Sequence, residues 1–254
     1  MTIDLSGRAA FVTGGSRGIG RAIALALASA GADVAVNYTR HPDEANEAVA
    51  EITALGRKAA AYQGDVGDFE SCSRMTEQAL KDFGAFSILV NNAGIASRGN
   101  AVVDTDPEEM RRVVRTHVFG SQHMSHLLVP QMRTQPRGDV VMISSGAAQS
   151  FGGRGAPYNM AKAGMEALAY TLAKEEREHG IHVNVVAPGL VETDMGNRLM
   201  RARRNITSMR ELDADSPFGR VCQPQDIADA VAFLCSEEAS YVTGQRITVN
   251  GGGF

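Results

Sequence analysis

Short apolar runs alternate with amphipathic stretches along the whole chain, and this alternation limits the possible folds more than any other feature. Apolar runs of this kind are typical of strands buried on both faces, and the amphipathic stretches are typical of crossover helices. Right-handed crossovers place such helices on both faces of a parallel sheet. The sequence therefore predicts an α/β protein with a doubly wound parallel sheet. Its seven predicted strands are residues 9–13, 33–38, 58–62, 87–91, 139–145, 182–187 and 246–249.

Six helical patterns separate these strands, and proline or acidic residues mark several of their starts. No linker, repeat or low-complexity tract divides the 254 residues, so we expect a single domain over residues 1–254. The predicted helices are residues 18–30, 42–55, 68–83, 107–133, 158–179 and 224–234.

Residues 191–217 form a long connection rich in Arg and Met, which we interpret as a lid over the substrate. Its arginines could steer an anionic substrate tail. They could equally be solvated surface charges, because the acidic residues Glu211, Asp213 and Asp215 follow and offset their field. The arginines are Arg198, Arg201, Arg203, Arg204 and Arg210.

Charge and cysteine content exclude several classes of protein. The 25 Lys and Arg against 29 Asp and Glu give a net charge of −4, so we expect no nucleic-acid partner. We also expect no membrane contact and a cytoplasmic location, because no apolar run is long enough for a bilayer and residues 1–20 lack a signal-peptide pattern. Three widely spaced cysteines argue against a disulfide framework and against a metal site.

A glycine-rich turn at residues 13–20 follows the first predicted strand and opens the first predicted helix. In this context the backbone approaches a pyrophosphate closely, and the helix N-terminus supplies N–H groups and a positive dipole end. The glycine spacing is not that of the GxGxxG fingerprint, and glycines also simply make turns. The residues expected to bind the cofactor here are Gly14, Ser16, Arg17, Gly18, Ile19 and Gly20.

The end of the second predicted strand indicates which dinucleotide binds. An acidic side chain there would accept a hydrogen bond from a ribose 2′-OH, but Tyr38 and Arg40 occupy this region and no carboxylate appears before Asp43. Arg17 and Arg40 could bind a 2′-phosphate through their planar guanidinium groups, which favours NADP(H) over NAD(H). The alternative is that both arginines are solvated surface residues.

Several motifs, in order and correctly spaced, resemble the short-chain dehydrogenase/reductase family over essentially the whole chain. They are the turn at 13–20, the Asn-Asn-Ala-Gly sequence at 91–94, Ser145, the sequence Tyr158-Asn159-Met160-Ala161-Lys162, and Pro188-Gly189 followed by Thr193. The resemblance implies a Rossmann-type fold and an enzyme that transfers a hydride between a nicotinamide and a carbonyl or secondary alcohol. Within the family the chain is most similar to β-ketoacyl-acyl-carrier-protein reductases.

The central residues fit this chemistry. Tyr158 and Lys162 lie four positions apart, on one helix face, where an ammonium can favour a phenolate. Ser145 lies at the carboxyl end of a predicted parallel strand and could stabilise developing alkoxide charge. The resemblance implies that Tyr158 donates or accepts the substrate proton and that Lys162 also holds the nicotinamide ribose. A tyrosine and a serine that merely form surface hydrogen bonds are the alternative.

Further cofactor positions follow from the resemblance. Asp65 and Val66 are similar to the pair beside the adenine, Asn91 to the residue beside the adenosine ribose, and Pro188 and its neighbours to the stretch around the carboxamide. Asp65 could otherwise cap a helix, and Pro188 with Gly189 could form a turn. The full set implied is Asp65, Val66, Asn91, Ala93, Gly94, Tyr158, Lys162, Pro188, Gly189, Val191 and Thr193.

His117 departs from the family pattern. It occupies the place of an asparagine that binds a relay water in relatives. A neutral histidine could hold the same water, and its protonation would then reduce activity under mildly acidic conditions. His117 could equally pack in the helix interior while water takes another route.

The sequence does not identify the substrate. Pro136 and His179 stand where similar reductases carry the two arginines that dock the carrier protein. Three functions remain: a reductase of 3-oxoacyl thioesters, a reductase or dehydrogenase of a sugar, steroid or other ketone, and a dinucleotide-binding protein without activity. The intact Ser145, Tyr158 and Lys162 disfavour the third. The resemblance also implies a homotetramer, with residues 107–133 and 158–179 as interface helices.

Overall fold

The computed structural model describes residues 3–204, 206 and 208–252. All seven strands pair in parallel in one sheet with the order β3-β2-β1-β4-β5-β6-β7. The predicted doubly wound parallel sheet is therefore confirmed. The strands are β1 Ala9–Val12, β2 Asp33–Tyr38, β3 Ala59–Gln63, β4 Ile88–Asn91, β5 Gly138–Ile143, β6 Ile181–Pro188 and β7 Arg246–Val249.

Helices connect successive strands and cover both faces of the sheet. None of those in the described residues is long and apolar enough to cross a membrane. They are α1 Gly18–Ser29, α2 Pro42–Ala54, α3 Phe69–Phe83, α4 Pro107–Val114, α5 Gly120–Met132, α6 Ala147–Ser150, α7 Ala156–Glu176, α8 Asp194–Arg204 and α9 Pro224–Leu234.

Two apolar cores explain why the strands read as continuous apolar runs. On one face Ile23 and Leu27 of α1 pack with Ile227 of α9 against the strands. On the other face Met124 and Met165 belong to the core formed with α3, α5 and α7. Each central strand contributes side chains to both cores, so alternation between polar and apolar residues is lost.

Two segments differ from the sequence prediction. The single helix predicted over residues 107–133 contains a π-helical turn at Arg115–Phe119 between α4 and α5. The connection 191–217 holds α8 and a short 3₁₀-helix, Met209–Asp215, whose Met209 packs with Met200 and Val221 in a small separate core. These three apolar side chains are far apart in sequence, so no local period announces the core.

The strand order changes direction between β1 and β4, which lie side by side. In an open α/β sheet the connections leaving such a pair diverge to opposite faces and open a crevice at the carboxyl ends of the strands. The glycine-rich turn after β1 and the residues after β4 and β5 border this crevice.

Candidate active site

The glycine-rich turn joins β1 to α1 at the carboxyl edge of the sheet. Gly14 and Gly18 have φ values of +60° and +54°, which glycine adopts without strain. The Gly14 N–H donates to the Oδ1 of the buried Asn37 at 3.1 Å, which fixes the turn against β2. A Cβ at Gly20 would lie 2.1 Å from the Gly14 carbonyl oxygen. These positions therefore require glycine for the turn to close.

Thr13 and Asn92 hold this turn against the segment after β4. Thr13 Oγ1 accepts hydrogen bonds from the N–H groups of Asn92 and Ala93 at 2.9 and 3.0 Å. Asn92 Nδ2 donates to the carbonyl oxygens of Thr13 and Gly14 at 2.9 and 3.0 Å. The glycine-rich turn and the Asn-Asn-Ala-Gly sequence, which are separate motifs in the sequence, thus form one rigid unit. The supporting role of Thr13 and Asn92 is visible only in the structure.

The edge of the sheet fits a dinucleotide. The first turn of α1 carries no acidic side chain, and its N-cap residue Arg17 makes no side-chain capping hydrogen bond, so N–H groups and a positive dipole end face the crevice. A Cβ at Gly18 would lie 3.5 Å from Thr193 Cγ2, which places the turn opposite the segment after β6. Within the described part of the chain, the buried Asn91 Nδ2 has no hydrogen-bond partner.

The surroundings of Arg17 correct one expectation from sequence. Two carboxylates lie 3.8 Å from its guanidinium group: Glu44 of α2 and Asp194 of α8. Among the residues that the structure describes, the buried Glu44 Oε2 has no hydrogen-bond partner. Arg17 is therefore already partly neutralised, whereas the sequence predicted no opposing carboxylate. Arg40 is exposed, and Tyr38 is partly buried at the end of β2.

Asp65 is not a helix cap. Its carboxylate accepts from the Gly67 N–H at 2.9 Å and from Arg115 Nη2 at 3.0 Å, while Asp68 caps α3 by accepting from the Ser71 N–H. Val66, which follows Asp65, is buried. Pro188 is not part of a turn either, because it is the last residue of β6. Both alternatives that assigned these residues a purely local role are wrong.

Ser145, Tyr158 and Lys162 come together beyond the end of β5. Strand β5 stops at Ile143, so Ser145 lies in the connection, where its Oγ accepts from the Ala147 N–H at 3.2 Å. The Ser145 hydroxyl lies close enough to the Tyr158 phenol to favour its ionised form. Lys162 follows Tyr158 one turn later on α7, with its Nζ 5.7 Å from the centroid of the phenol ring.

The charge state of these groups is set mainly by burial. Lys162 is 3% exposed, and its Nζ donates to the Ile143 carbonyl oxygen at 2.5 Å. Burial lowers the pKa of Lys162 to about 7. Burial also raises the pKa of Tyr158, and the neighbouring Ser145 hydroxyl opposes this rise. The polypeptide by itself therefore keeps Tyr158 protonated, in contrast to the phenolate that the sequence spacing suggested.

His117 lies in the π-helical turn and is 1% exposed. Its Nε2 lies 3.1 Å from the nitrogen and 2.9 Å from the oxygen of Ile95, and its ring meets that of Tyr158 edge-on at 5.4 Å. Within the described residues its buried Nδ1 has no partner. A Cβ at Gly94 would lie 2.4 Å from His117 Cε1, so the glycine makes room for the histidine.

Burial, helped by the nearby charge of Lys162, lowers the pKa of His117 to about 3. The ring is therefore neutral from pH 5.5 to 8. Protonation of His117 in the mildly acidic range, which the sequence suggested, does not occur at this pKa.

Comparison with known proteins places this arrangement in a family. A family model described as "Enoyl-(Acyl carrier protein) reductase" matches residues 14–253. The 3-oxoacyl-[acyl-carrier-protein] reductase FabG of Staphylococcus aureus (strain Mu50) is 39% identical over 246 residues, which cover 96% of this chain and 97% of that protein. The chain belongs to the short-chain dehydrogenase/reductase family.

Other members of the short-chain dehydrogenase/reductase family differ in their named substrates. An L-rhamnose 1-dehydrogenase (NAD(P)(+)) of Sphingomonas sp. (strain SKA58) is 36% identical over 98% of this chain and 96% of its own length. The structure of a 7α-hydroxysteroid dehydrogenase complexed with NADH and 7-oxo glycochenodeoxycholic acid superimposes with a TM-score of 0.90 at 35% identity, covering 99% of this chain and 96% of that one. The chain is thus an oxidoreductase of a family that binds nicotinamide dinucleotides.

In the predicted lid, residues 191–217, some arginines are exposed and Arg210 lies beside carboxylates. Arg198 and Arg201 of α8 are exposed, but Arg210 lies 3.4 Å from Glu192 and 3.7 Å from Asp213. The side chains of Arg203 and Arg204 lie outside the described residues. The acidic neighbours of Arg210 favour solvated charge over an anion-binding surface at that position.

Proposed function

We propose that this oxidoreductase transfers a hydride between NADP(H) and a carbonyl or secondary alcohol, with Tyr158 as the proton donor or acceptor. The observation that carries the proposal is the placement of the Tyr158 phenol beside the Ser145 hydroxyl and the buried Lys162, at the sheet edge that holds the glycine-rich turn. The experiment that tests it is the oxidation of NADPH by the purified protein across a panel of ketones, aldehydes and 3-oxoacyl thioesters.

Each side chain of the trio has a distinct role in this proposal. Ser145 hydrogen-bonds the substrate oxygen and stabilises negative charge that develops there. Tyr158, protonated in the free chain, donates its proton to that oxygen during reduction. Lys162 contributes a positive charge that stabilises the phenolate left behind and holds the nicotinamide ribose.

The cofactor would be held along the carboxyl edge of the sheet. The reduced nicotinamide supplies the hydride when bound. The turn and the α1 N-terminus would hold the pyrophosphate, Asp65, Val66 and Asn91 the adenosine, and the segment after β6 the carboxamide. The last group comprises Pro188, Gly189, Val191 and Thr193, with Ala93 and Gly94 lining the approach.

NADPH is expected to bind more tightly than NADH, because the guanidinium groups of Arg17 and Arg40 can each pair with a 2′-phosphate. A charge-assisted contact contributes about 1.5–3 kcal/mol, so Arg40→Asp should shift the ratio of the two dissociation constants toward NADH by about tenfold or more. Glu44→Gln should do the opposite, because it removes a carboxylate that competes for Arg17. Direct titration of each protein with both cofactors measures this; tighter binding of NADH by the wild type would contradict the assignment.

His117 is expected to stay neutral wherever the enzyme is active, so it should not produce an acidic limb in the pH profile. Turnover of wild type and His117→Asn should decline identically between pH 8 and pH 5.5, since protonation at a pKa of about 3 lies below this range. If the wild type alone declined, His117 would have to titrate near neutrality.

The substrate class that we propose first is the 3-oxoacyl thioester, because the S. aureus relative is named as a reductase of 3-oxoacyl-[acyl-carrier-protein]. The second candidate is a sugar or steroid, as named for the rhamnose and hydroxysteroid dehydrogenases. Turnover of 3-oxoacyl-CoA in preference to keto-steroids and sugar lactones would support the first. The homotetramer and the cytoplasmic location stay predictions, and light scattering of the purified protein would test the former.

A further inference from the structure

A buried ion pair lies directly behind Ser145. Glu166, four residues after Lys162 on α7, is 7% exposed. Its Oε1 accepts hydrogen bonds from Ser144 Oγ at 2.5 Å and from Arg246 Nε at 3.0 Å. The Arg246 guanidinium also donates to the Ser145 carbonyl oxygen at 3.2 Å. Three elements, α7, the end of β5 and β7, therefore meet at one pair of charges.

This pair holds the backbone that carries Ser145. The pair holds both serines, Ser144 through its hydroxyl and Ser145 through its carbonyl oxygen. A hydroxyl that must stabilise charge in a transition state needs its position set to a few tenths of an ångström. The pair supplies such support from two residues that lie 80 positions apart in sequence.

The ion pair of Glu166 and Arg246 also bears on the charge of Lys162. The groups around the Lys162 ammonium are the phenol of Tyr158 and the carboxylate of Glu166 on its own helix, and neutral His117 on the π-helical turn. Glu166 favours the charged form of Lys162 and works against the effect of burial. Arg246, 3.0 Å from Glu166, offsets that carboxylate and so limits the effect.

We propose that Glu166 and Arg246 are positioning residues of the active site: together they fix the backbone of Ser145, and the balance of their charges adjusts the charge of Lys162 within its buried site. The inference rests on the proposed function for its catalytic meaning. Neither residue touches the reacting atoms. Their effect is exerted through Ser145 and Lys162.

The charge balance is tested in the cofactor-free protein by NMR. The chain has only four lysines, Lys58, Lys81, Lys162 and Lys174, so the ¹³Cε signals of labelled lysine are few, and Lys162→Met identifies the signal of interest. Glu166→Gln should lower the midpoint of the Lys162 titration by about one pH unit, and Arg246→Met should raise it by a similar amount. The double variant should return it close to the wild-type value.

A matched control is available on the same helix. Glu176 of α7 is buried and forms a two-point ion pair with Arg133, so Glu176→Gln breaks a comparable pair far along the helix from Lys162. This variant should leave the Lys162 midpoint unchanged. If the substitutions acted only through lost packing, the Lys162 midpoint would shift in the same direction in Glu166→Gln and in Arg246→Met. Such a result, or an unchanged midpoint in both variants, would overturn the proposal.

Kinetics test the positioning role separately. Glu166→Gln should reduce kcat about tenfold with the dissociation constant for NADPH nearly unchanged, and Arg246→Lys should retain more activity than Arg246→Met because it keeps the charge. Wild-type kcat in Glu166→Gln would remove the positioning role. A wild-type protein that reduces no carbonyl compound would instead refute the proposed function, while the NMR titration would still decide the charge balance.

Discussion

Tyr158→Phe is expected to abolish nearly all carbonyl reduction while cofactor affinity changes little. The substitution deletes the proposed proton donor and keeps the shape of the ring, and general acid catalysis of this kind contributes about 10²–10⁴-fold to a rate. The phenylalanine still packs edge-on against His117. NADPH oxidation under saturating substrate measures the loss, and titration with NADPH measures the affinity.

Tyr241→Phe provides the control for this experiment, because Tyr241 is fully exposed and lies outside the candidate site. It should keep wild-type turnover and affinity. Retention of more than half of the activity by Tyr158→Phe would rule out Tyr158 as the proton donor and leave Ser145 as the hydroxyl to examine.

Lys162→Met is expected to lower turnover by about 100-fold or more and, at pH 6, to raise the free energy of unfolding. The activity falls because the positive charge beside Tyr158 is lost. Stability rises because folding forces Lys162 to hold its charge in a buried site: the difference between a lysine pKa near 10.4 and about 7 corresponds to roughly 4–5 kcal/mol. Methionine cannot donate a hydrogen bond to the Ile143 carbonyl oxygen. This loss reduces the gain in the free energy of unfolding by about 1–3 kcal/mol.

The stability difference between Lys162→Met and the wild type should depend on pH. Between about pH 7 and pH 10 the unfolded chain binds a proton at Lys162 that the folded chain has released, so the stability of the wild type from this group rises with pH. The advantage of Lys162→Met should therefore be largest at pH 6 and shrink toward pH 9. Urea unfolding at both pH values measures it, and an equal advantage at the two values would contradict the low pKa.

Local patterns in the sequence were sufficient for the elements and for the candidate site. Parallel strands buried on both faces read as apolar runs, so the seven strands were located to within one or two residues. The glycine-rich turn was found because positive φ and close approach leave few alternatives to glycine. Tyr158 and Lys162 were paired correctly because four residues on a helix complete one turn.

Local patterns did not predict the interruption of the helix over residues 107–133. Its apolar period runs through the region of the π-helical turn Arg115–Phe119, which no glycine or proline within the turn announces. The turn becomes visible only with its surroundings, where His117 meets Ile95 and Gly94. The sequence identified His117 as unusual, but its neutral state follows from burial.

The sequence by itself determined the sheet, the glycine-rich turn and the residues of the proposed trio, because each depends on spacing within one or two adjacent elements. Only the tertiary structure decided how these groups are charged and supported. Glu44 and Asp194 reach Arg17 from two different helices, and Arg246 reaches Glu166 across 80 residues. Desolvation and Coulomb interactions depend on distance in space, so the pKa values near the site are set by neighbours that no local pattern brings together.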